Sequence, residues 1–222
     1  MMKKLLLAGA LAFAAISAQA AVVTGSFNNT GVFSGDPVAG ALVVSITDTA
    51  VNQVTVTINS TLDPGAFVLP SDGFYFNVNP FTSVSLTNIT GPVGTLSSSL
   101  NSFKPDGDGL MDLQLTFQNG TQPFQGGTGG TYLFSGIGLD ALDFLALSEC
   151  GQGCGTGAHY AATHIGGLTN GGSAWVGPNT PDQFCTDCTP TPQLVPEPAS
   201  AALVGLGLLG LTLGLRRRKA TL

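Results

Sequence analysis

The sequence predicts an all-β fold, one antiparallel β-sandwich of jelly-roll-like kind, with an N-terminal signal peptide before it and a single C-terminal transmembrane helix after it. Three observations carry the fold class. Leu42, Val44 and Ile46, then Val54, Val56 and Ile58, alternate with polar neighbours at the two-residue period of a half-buried strand. Gly, Thr, Ser, Asn and Val dominate the middle of the chain while Lys, Arg and Glu are scarce, a bias toward strands and turns. Asp63-Pro64-Gly65, Asn79-Pro80 and Gly91-Pro92 supply turns at short spacing.

Taken in order, residues 1–20 read as a secretory signal peptide. Lys3 and Lys4 precede an apolar run from Leu5 to Ile16, and Ala18-Gln19-Ala20 offers the small residues a signal peptidase requires, so cleavage is expected between Ala20 and Ala21. Residues 21–188 form the exported domain. Lys104 is its only cation against twelve Asp and Glu, a balance that argues against nucleic acid, acidic glycans and anionic lipid surfaces as partners. Beyond the two alternating segments, joined by a hairpin loop over 48–53, strands are expected over 73–78, 83–89, 110–117, 131–137, 158–165 and 174–176, with a short helix over 139–147 after Gly138. Residues 189–198 hold four prolines and little to bury, and read as an exposed linker.

Residues 199–215 are uncharged and, as a helix rising about 1.5 Å per residue, span roughly 25 Å of hydrocarbon. Arg216, Arg217, Arg218 and Lys219 then hold the end of the chain on the cytoplasmic side, since each would cost about 2.5–3.5 kcal/mol at the bilayer centre. Together with Pro196-Glu197-Pro198 this segment, 195–219, resembles the PEP-CTERM sorting signal of exported bacterial proteins. The resemblance implies an exosortase that recognises Pro196, Glu197 and Pro198, removes the helix and releases or attaches the body outside the cell. A permanent, unprocessed membrane anchor is the alternative. Two stretches of the body, Gly136–Phe144 and Ala161–His164 with Ser173–Gly177, are similar to small exported proteins bearing this signal, a likeness that assigns no catalytic residue.

Four features bear on chemistry. Cys150, Cys154, Cys185 and Cys188 are an even set in an exported domain and read as disulfides. A bridge between the two clusters closes a loop of about 36 residues and stabilises by about 4 kcal/mol, against about 2 for Cys185–Cys188. All three connectivities stay open, and a four-cysteine zinc site is the lesser reading. His159 and His164, five apart, fall on opposite faces of one strand and are expected to be half-exposed polar residues without a recognisable nucleophile arrangement. Asp106, Asp108 and Asp112 partly match an oxygen-ligand calcium loop, but Leu110 and Phe117 stand where two further ligands belong, so a hairpin turn is the simpler reading. The glycine run Gly151–Gly157 lacks the strand-to-helix setting of a phosphate loop, and the Asn-x-Thr triplets at Asn28, Asn59, Asn88 and Asn119 carry little weight.

No Gly-x-Ser-x-Gly, His-Glu-x-x-His or P-loop pattern occurs. The expectation is therefore a non-enzymatic cell-surface or extracellular-matrix protein without a cofactor. Signal peptidase and exosortase are its partners during export, the membrane is at least a transient one, and the resemblance implies an exopolysaccharide or biofilm association. A glycan-binding module, with Trp175, Tyr75, Tyr132 and Tyr160 as candidate stacking residues, and a secreted hydrolase using Asp and His are the alternatives.

Overall fold

Alternation of apolar and polar residues settles most of the architecture. In the computed structural model, which describes residues 20–106, 109–150, 158–169 and 171–178, Leu42, Val44 and Ile46 of one strand and Val54, Val56 and Ile58 of the next are fully buried on one face. These two strands, Ala41–Ala50 (β3) and Gln53–Ser60 (β4), pair antiparallel with Val44 opposite Ile58 and Ile46 opposite Val56. Their turn runs through Asn52 at φ 66°, the left-handed region that asparagine tolerates better than most residues.

The remaining strands are Val22–Asn28 (β1), Val32–Gly35 (β2), Phe67–Val68 (β5), Phe74–Phe76 (β6), Ser85–Thr90 (β7), Gly94–Phe103 (β8), Met111–Phe117 (β9), Gly129–Ser135 (β10), Ala161–Gly166 (β11) and Ala174–Val176 (β12). They form two antiparallel sheets. One has five strands in the order β1-β3-β4-β10-β7 and the other seven, in the order β2-β12-β11-β6-β9-β8 with β5 beside β11. Both sheets feed one hydrophobic core, in which Phe27, Val44, Tyr132 and Phe134 of the first meet Phe74, Phe76, Leu113 and Ile165 of the second. Aromatic rings cross between the layers: Phe27 meets Phe74 edge-on at 5.8 Å and Phe76 meets Phe134 at 6.3 Å.

Successive strands mostly change sheet, as β1-β2, β2-β3, β4-β5, β6-β7, β7-β8, β9-β10 and β10-β11 do, while β3-β4, β8-β9 and β11-β12 pair within one sheet. One expectation needs correction. The helix expected over 139–147 is a single 3-10 turn, Ala141–Phe144. Asp140 caps it by accepting from the backbone N–H of Leu142 and Asp143, but Leu142 and Leu147 are about half exposed, so no continuous apolar stripe supports further turns. Among the described residues no helix is long and apolar enough to cross a membrane. The signal peptide to residue 19, the linker 189–198, the helix 199–215 and the basic tail 216–219 lie outside the described residues.

At the expected cleavage junction, Ala20 is buried and the Ala21 N–H donates to Asp48 Oδ2 at 3.0 Å. Asp48 Oδ1 accepts from the Ala141 N–H at 2.7 Å, so one carboxylate ties β1, β3 and the 3-10 turn together. Processing between Ala20 and Ala21 would turn that amide into an α-ammonium facing the same oxygen. Asp48→Ala is expected to lower the stability of the processed chain by about 1.5–3 kcal/mol, the usual range for a charge-assisted hydrogen bond. In the core, Phe74→Ala should cost about 3–5 kcal/mol, whereas Val51→Thr in the exposed β3-β4 turn should change little. Urea denaturation measures all three.

Candidate functional site

The strand alternation that sends Phe74 and Phe76 into the core turns Tyr75 to the opposite, outer face of the seven-stranded sheet. There Tyr75, Met111 and Ala162 form a second apolar cluster, with Phe33, Phe103 and Trp175 packed against it. Pairing places Ala162 opposite Tyr75, and His164 opposite Trp175, so His164 shares this face.

Asp72, His164 and Ser173 converge beside the cluster. His164 Nδ1 lies 2.6 Å from Asp72 Oδ2, and His164 Nε2 lies 3.0 Å from Ser173 Oγ. The tautomer that satisfies both contacts has Nδ1–H donating to the carboxylate and Nε2 accepting the serine hydroxyl proton. Trp175 covers the imidazole, its ring stacked at 4.4 Å and 14°. The His164 and Asp72 side chains retain 17% and 30% exposure, which leaves the array within reach of solvent.

Each member is held from a different direction. Asp72 sits in the turn before β6, where the Gly73 N–H donates to Leu69 O at 2.8 Å and the Thr163 hydroxyl donates to Gly73 O at 2.7 Å. Gly73 has φ 64°, and a Cβ there would stand 1.8 Å from Leu115 O, so glycine is required. Gln114 Nε2 donates to the Tyr75 hydroxyl at 2.8 Å, beside the same turn. Ser173 precedes β12 and its carbonyl accepts the Asp36 N–H at 3.1 Å, which fixes it against the end of β2. Chemically, the order carboxylate, imidazole, hydroxyl is that of an oriented base beside a nucleophile.

Burial pushes the Tyr75 phenol up to about 12, with the negative charge of Asp72 adding to the rise and the Gln114 hydrogen bond opposing it. Tyr132, in the core with its hydroxyl on Pro92 O at 2.7 Å, is also raised by burial.

The structure distributes the other candidate residues widely. His159 is buried and stacks on Phe33 at 4.5 Å, which corrects the half-exposed reading: it precedes β11 and packs beneath β2 rather than sharing a strand with His164. Asp112 is buried, and its two oxygens accept the Val78 N–H at 3.1 Å and the Asn101 N–H at 2.7 Å, a structural use of the carboxylate. Asp106 is exposed, and Asp108 lies outside the described residues. Among the described residues no group of three His, Cys, Asp or Glu is placed to hold a metal. Cys150 is not a free thiol, while Cys154, Cys185, Cys188 and the glycine run Gly151–Gly157 lie outside the described residues. Tyr132 and Tyr75 are buried, whereas Trp175 and Tyr160 are partly exposed. Asn28 and Asn88 have structural roles: Asn28 caps a 3-10 turn, and the Asn88 carboxamide exchanges hydrogen bonds with the Gly94 backbone.

Sequence reasoning missed the association of Asp72 and Ser173 with His164. The one available signal was that His164, Ser173 and Trp175 all fall in the stretches similar to other exported proteins.

Because the Tyr75 and Tyr132 phenols titrate higher in the folded chain than in the unfolded one, the folded state keeps protons that the unfolded state has lost above pH 10. Their contribution is complete below pH 10 and is lost as pH rises through the folded values. Thermal melts should therefore fall progressively between pH 10 and 12, and Tyr75→Phe should flatten that fall.

No curated protein and no solved structure matches the chain. A family profile described as the PEP-CTERM protein-sorting motif matches residues 194–219, the span containing Pro196, Glu197 and Pro198 and the basic run from Arg216 to Lys219. The chain thus carries a PEP-CTERM protein-sorting motif, which indicates exosortase-dependent sorting to the cell surface.

Proposed function

We propose that the body is a β-sandwich cargo with a structural or interaction role at the cell surface or in the extracellular matrix, associated with exopolysaccharide or biofilm, and that it is not an enzyme. The observation that carries this reading is the sorting motif over residues 194–219. Two features of the body support it: a nearly cation-free composition, and an aromatic cluster of Tyr75, Phe33, Phe103 and Trp175 on the outer sheet face. In this reading signal peptidase removes residues 1–20, and exosortase reads Pro196, Glu197 and Pro198 before removing the helix 199–215 with Arg216, Arg217, Arg218 and Lys219. The chain is a single-pass membrane protein only before that step. Cys150 then joins Cys154, Cys185 or Cys188 in a disulfide, a pairing supported by its not being a free thiol and by the oxidising compartment.

Intact mass of the protein recovered from its host, with the location of recovery, tests the routing. A species lacking both the first 20 residues and everything after the Pro-Glu-Pro region is expected outside the cell. Replacing Pro196, Glu197 and Pro198 with alanine should leave the tail attached and the protein at the inner membrane. Retention of the tail in the unaltered chain would establish a permanent anchor and end the matrix reading.

A second reading, acyl transfer or hydrolysis at Ser173, is favoured by one observation, the 2.6 Å and 3.0 Å contacts that align Asp72, His164 and Ser173. A fluorophosphonate probe that labels the native chain and not Ser173→Ala would support it. Absence of labelling is the outcome expected from the interaction role.

A further inference from the structure

The two sides of the sandwich are finished differently. On one side the edge strands β7 and β8 are laced together through Asn88 and Ser98. On the other lie β1 and β2, joined by the 3-10 turn Asn29–Gly31, and each is the last strand of its sheet. Hydrogen-bond parity identifies the backbone groups that β1 leaves open. The Asp48 N–H donates to Ala21 O, and the Thr61 N–H to Ala41 O. In the register that sets Val23 opposite Ile46 and Gly25 opposite Val44, it is therefore Val23, Gly25 and Phe27 that bond β3. The N–H and C=O groups of Val22, Thr24 and Ser26 point away from β3, and none has a hydrogen-bond partner among the described residues. Nothing in the strand guards this edge. β1 has no bulge, no proline and no charged residue, the devices by which edge strands avoid pairing. The hydroxyls of Thr24 and Ser26 bond the side chains of Ser45 and Asn28, at 3.3 and 3.0 Å, rather than the open backbone groups.

We propose that β1 pairs antiparallel with β1 of a second copy of this chain. The strand is its own complement. Setting Thr24 opposite Thr24 of the second copy places Val22 opposite Ser26, with each facing pair exchanging both of its backbone hydrogen bonds. Charge selects the place. The exported domain carries one cation against twelve acidic residues, so two copies repel over most of their surface, whereas Val22 to Asn28 bring no charge to the contact. The neighbouring edge β2 is short and runs into Asp36 and Pro37, which block the same use of it. A two-fold contact at β1 also limits itself. It joins the two five-stranded sheets into one continuous sheet bounded at both ends by β7, which is already tied to β8, so the assembly closes as a dimer. The pairing names a partner for the interaction role proposed above but stands on the fold: a tail still attached in the intact mass would end the matrix reading and leave the pairing of β1 untouched.

Size exclusion with light scattering, over a concentration series of the chain recovered from its host, tests it together with amide hydrogen exchange. The mass should double as concentration rises through the micromolar range, and the Val22, Thr24 and Ser26 amides should become protected over the same range. Thr24→Pro removes an outward N–H that its own sheet does not use, so it should keep the fold and weaken dimerisation about tenfold or more. Thr24→Lys, which sets two like charges across the two-fold axis, should also weaken it and serves if the proline variant does not fold. A monomer at every concentration, or a dimer that both substitutions leave unchanged, would overturn the proposal. Protection of those amides at all concentrations would overturn it too, because residues of the same chain would then cover the edge.

Discussion

Phe74 is the residue on which the two-sheet arrangement depends. It lies in a three-residue strand, too short to hold its place by backbone pairing alone. Phe27, Phe117 and Phe124 surround its ring edge-on at 5.8, 6.4 and 5.6 Å. Each such pair contributes about 0.5–1.5 kcal/mol beyond the area it buries. Phe76, two residues on, repeats the pattern with Phe134 and Phe144. Strand geometry then leaves Tyr75 no choice but the outer face, where a large ring needs cover of its own. Met111, Ala162 and Trp175 supply that cover. The outer cluster in turn seats Gln114, the turn carrying Asp72, and His164. The polar array is thus a consequence of how the core is filled.

The edges obey a second constraint. A sheet edge that exposes unpaired backbone groups invites pairing with another chain, and lysine is a common guard against it. This body has a single lysine, Lys104. Its edge strands β7 and β8, which belong to different sheets, are instead tied to each other by uncharged side chains. Asn88 Oδ1 accepts the Gly94 N–H at 2.7 Å while Asn88 Nδ2 donates to Gly94 O at 3.1 Å. This imitates a ladder step across the gap between layers. The Ser98 hydroxyl accepts the Val84 N–H at 3.0 Å in the same way. Polar amides and hydroxyls therefore do work that charge performs in most antiparallel sheets.

How much of this was legible in the sequence follows from what each element buries. β3 and β4 announce themselves because one face of each is wholly buried and the other wet, so period-two alternation survives in the residues. β12 was legible over its full length, Ala174–Val176. β8 was not: Gly94–Phe103 is rich in serine, and its exposed position demands little apolar character. β1 was hidden by its position immediately after the expected signal peptide, and the two-residue β5 is below any periodic signal. Candidate-site residues were harder still, since Asp72 and His164 are 92 positions apart and meet only through the register of β6 with β11. The two histidines separated for a related reason. Strand β11 begins at Ala161, so His159 follows loop geometry rather than strand parity.

Two groups of polar side chains in the body differ in whether they are satisfied. At Asp72, His164 and Ser173, both imidazole nitrogens have partners, Trp175 covers the ring, and the flanking turn is pinned by backbone and Thr163 contacts. A network closed on itself stabilises the junction of β6, β11 and β12 without any ligand. The Asn77 carboxamide has no such closure, although it is more deeply buried and costs the fold accordingly. Replacement by an apolar residue of similar size would relieve that cost. Burial alone therefore does not make a polar group stabilising: the half-exposed histidine array strengthens its junction, whereas the sealed Asn77 amide is carried at a cost by the packing around it.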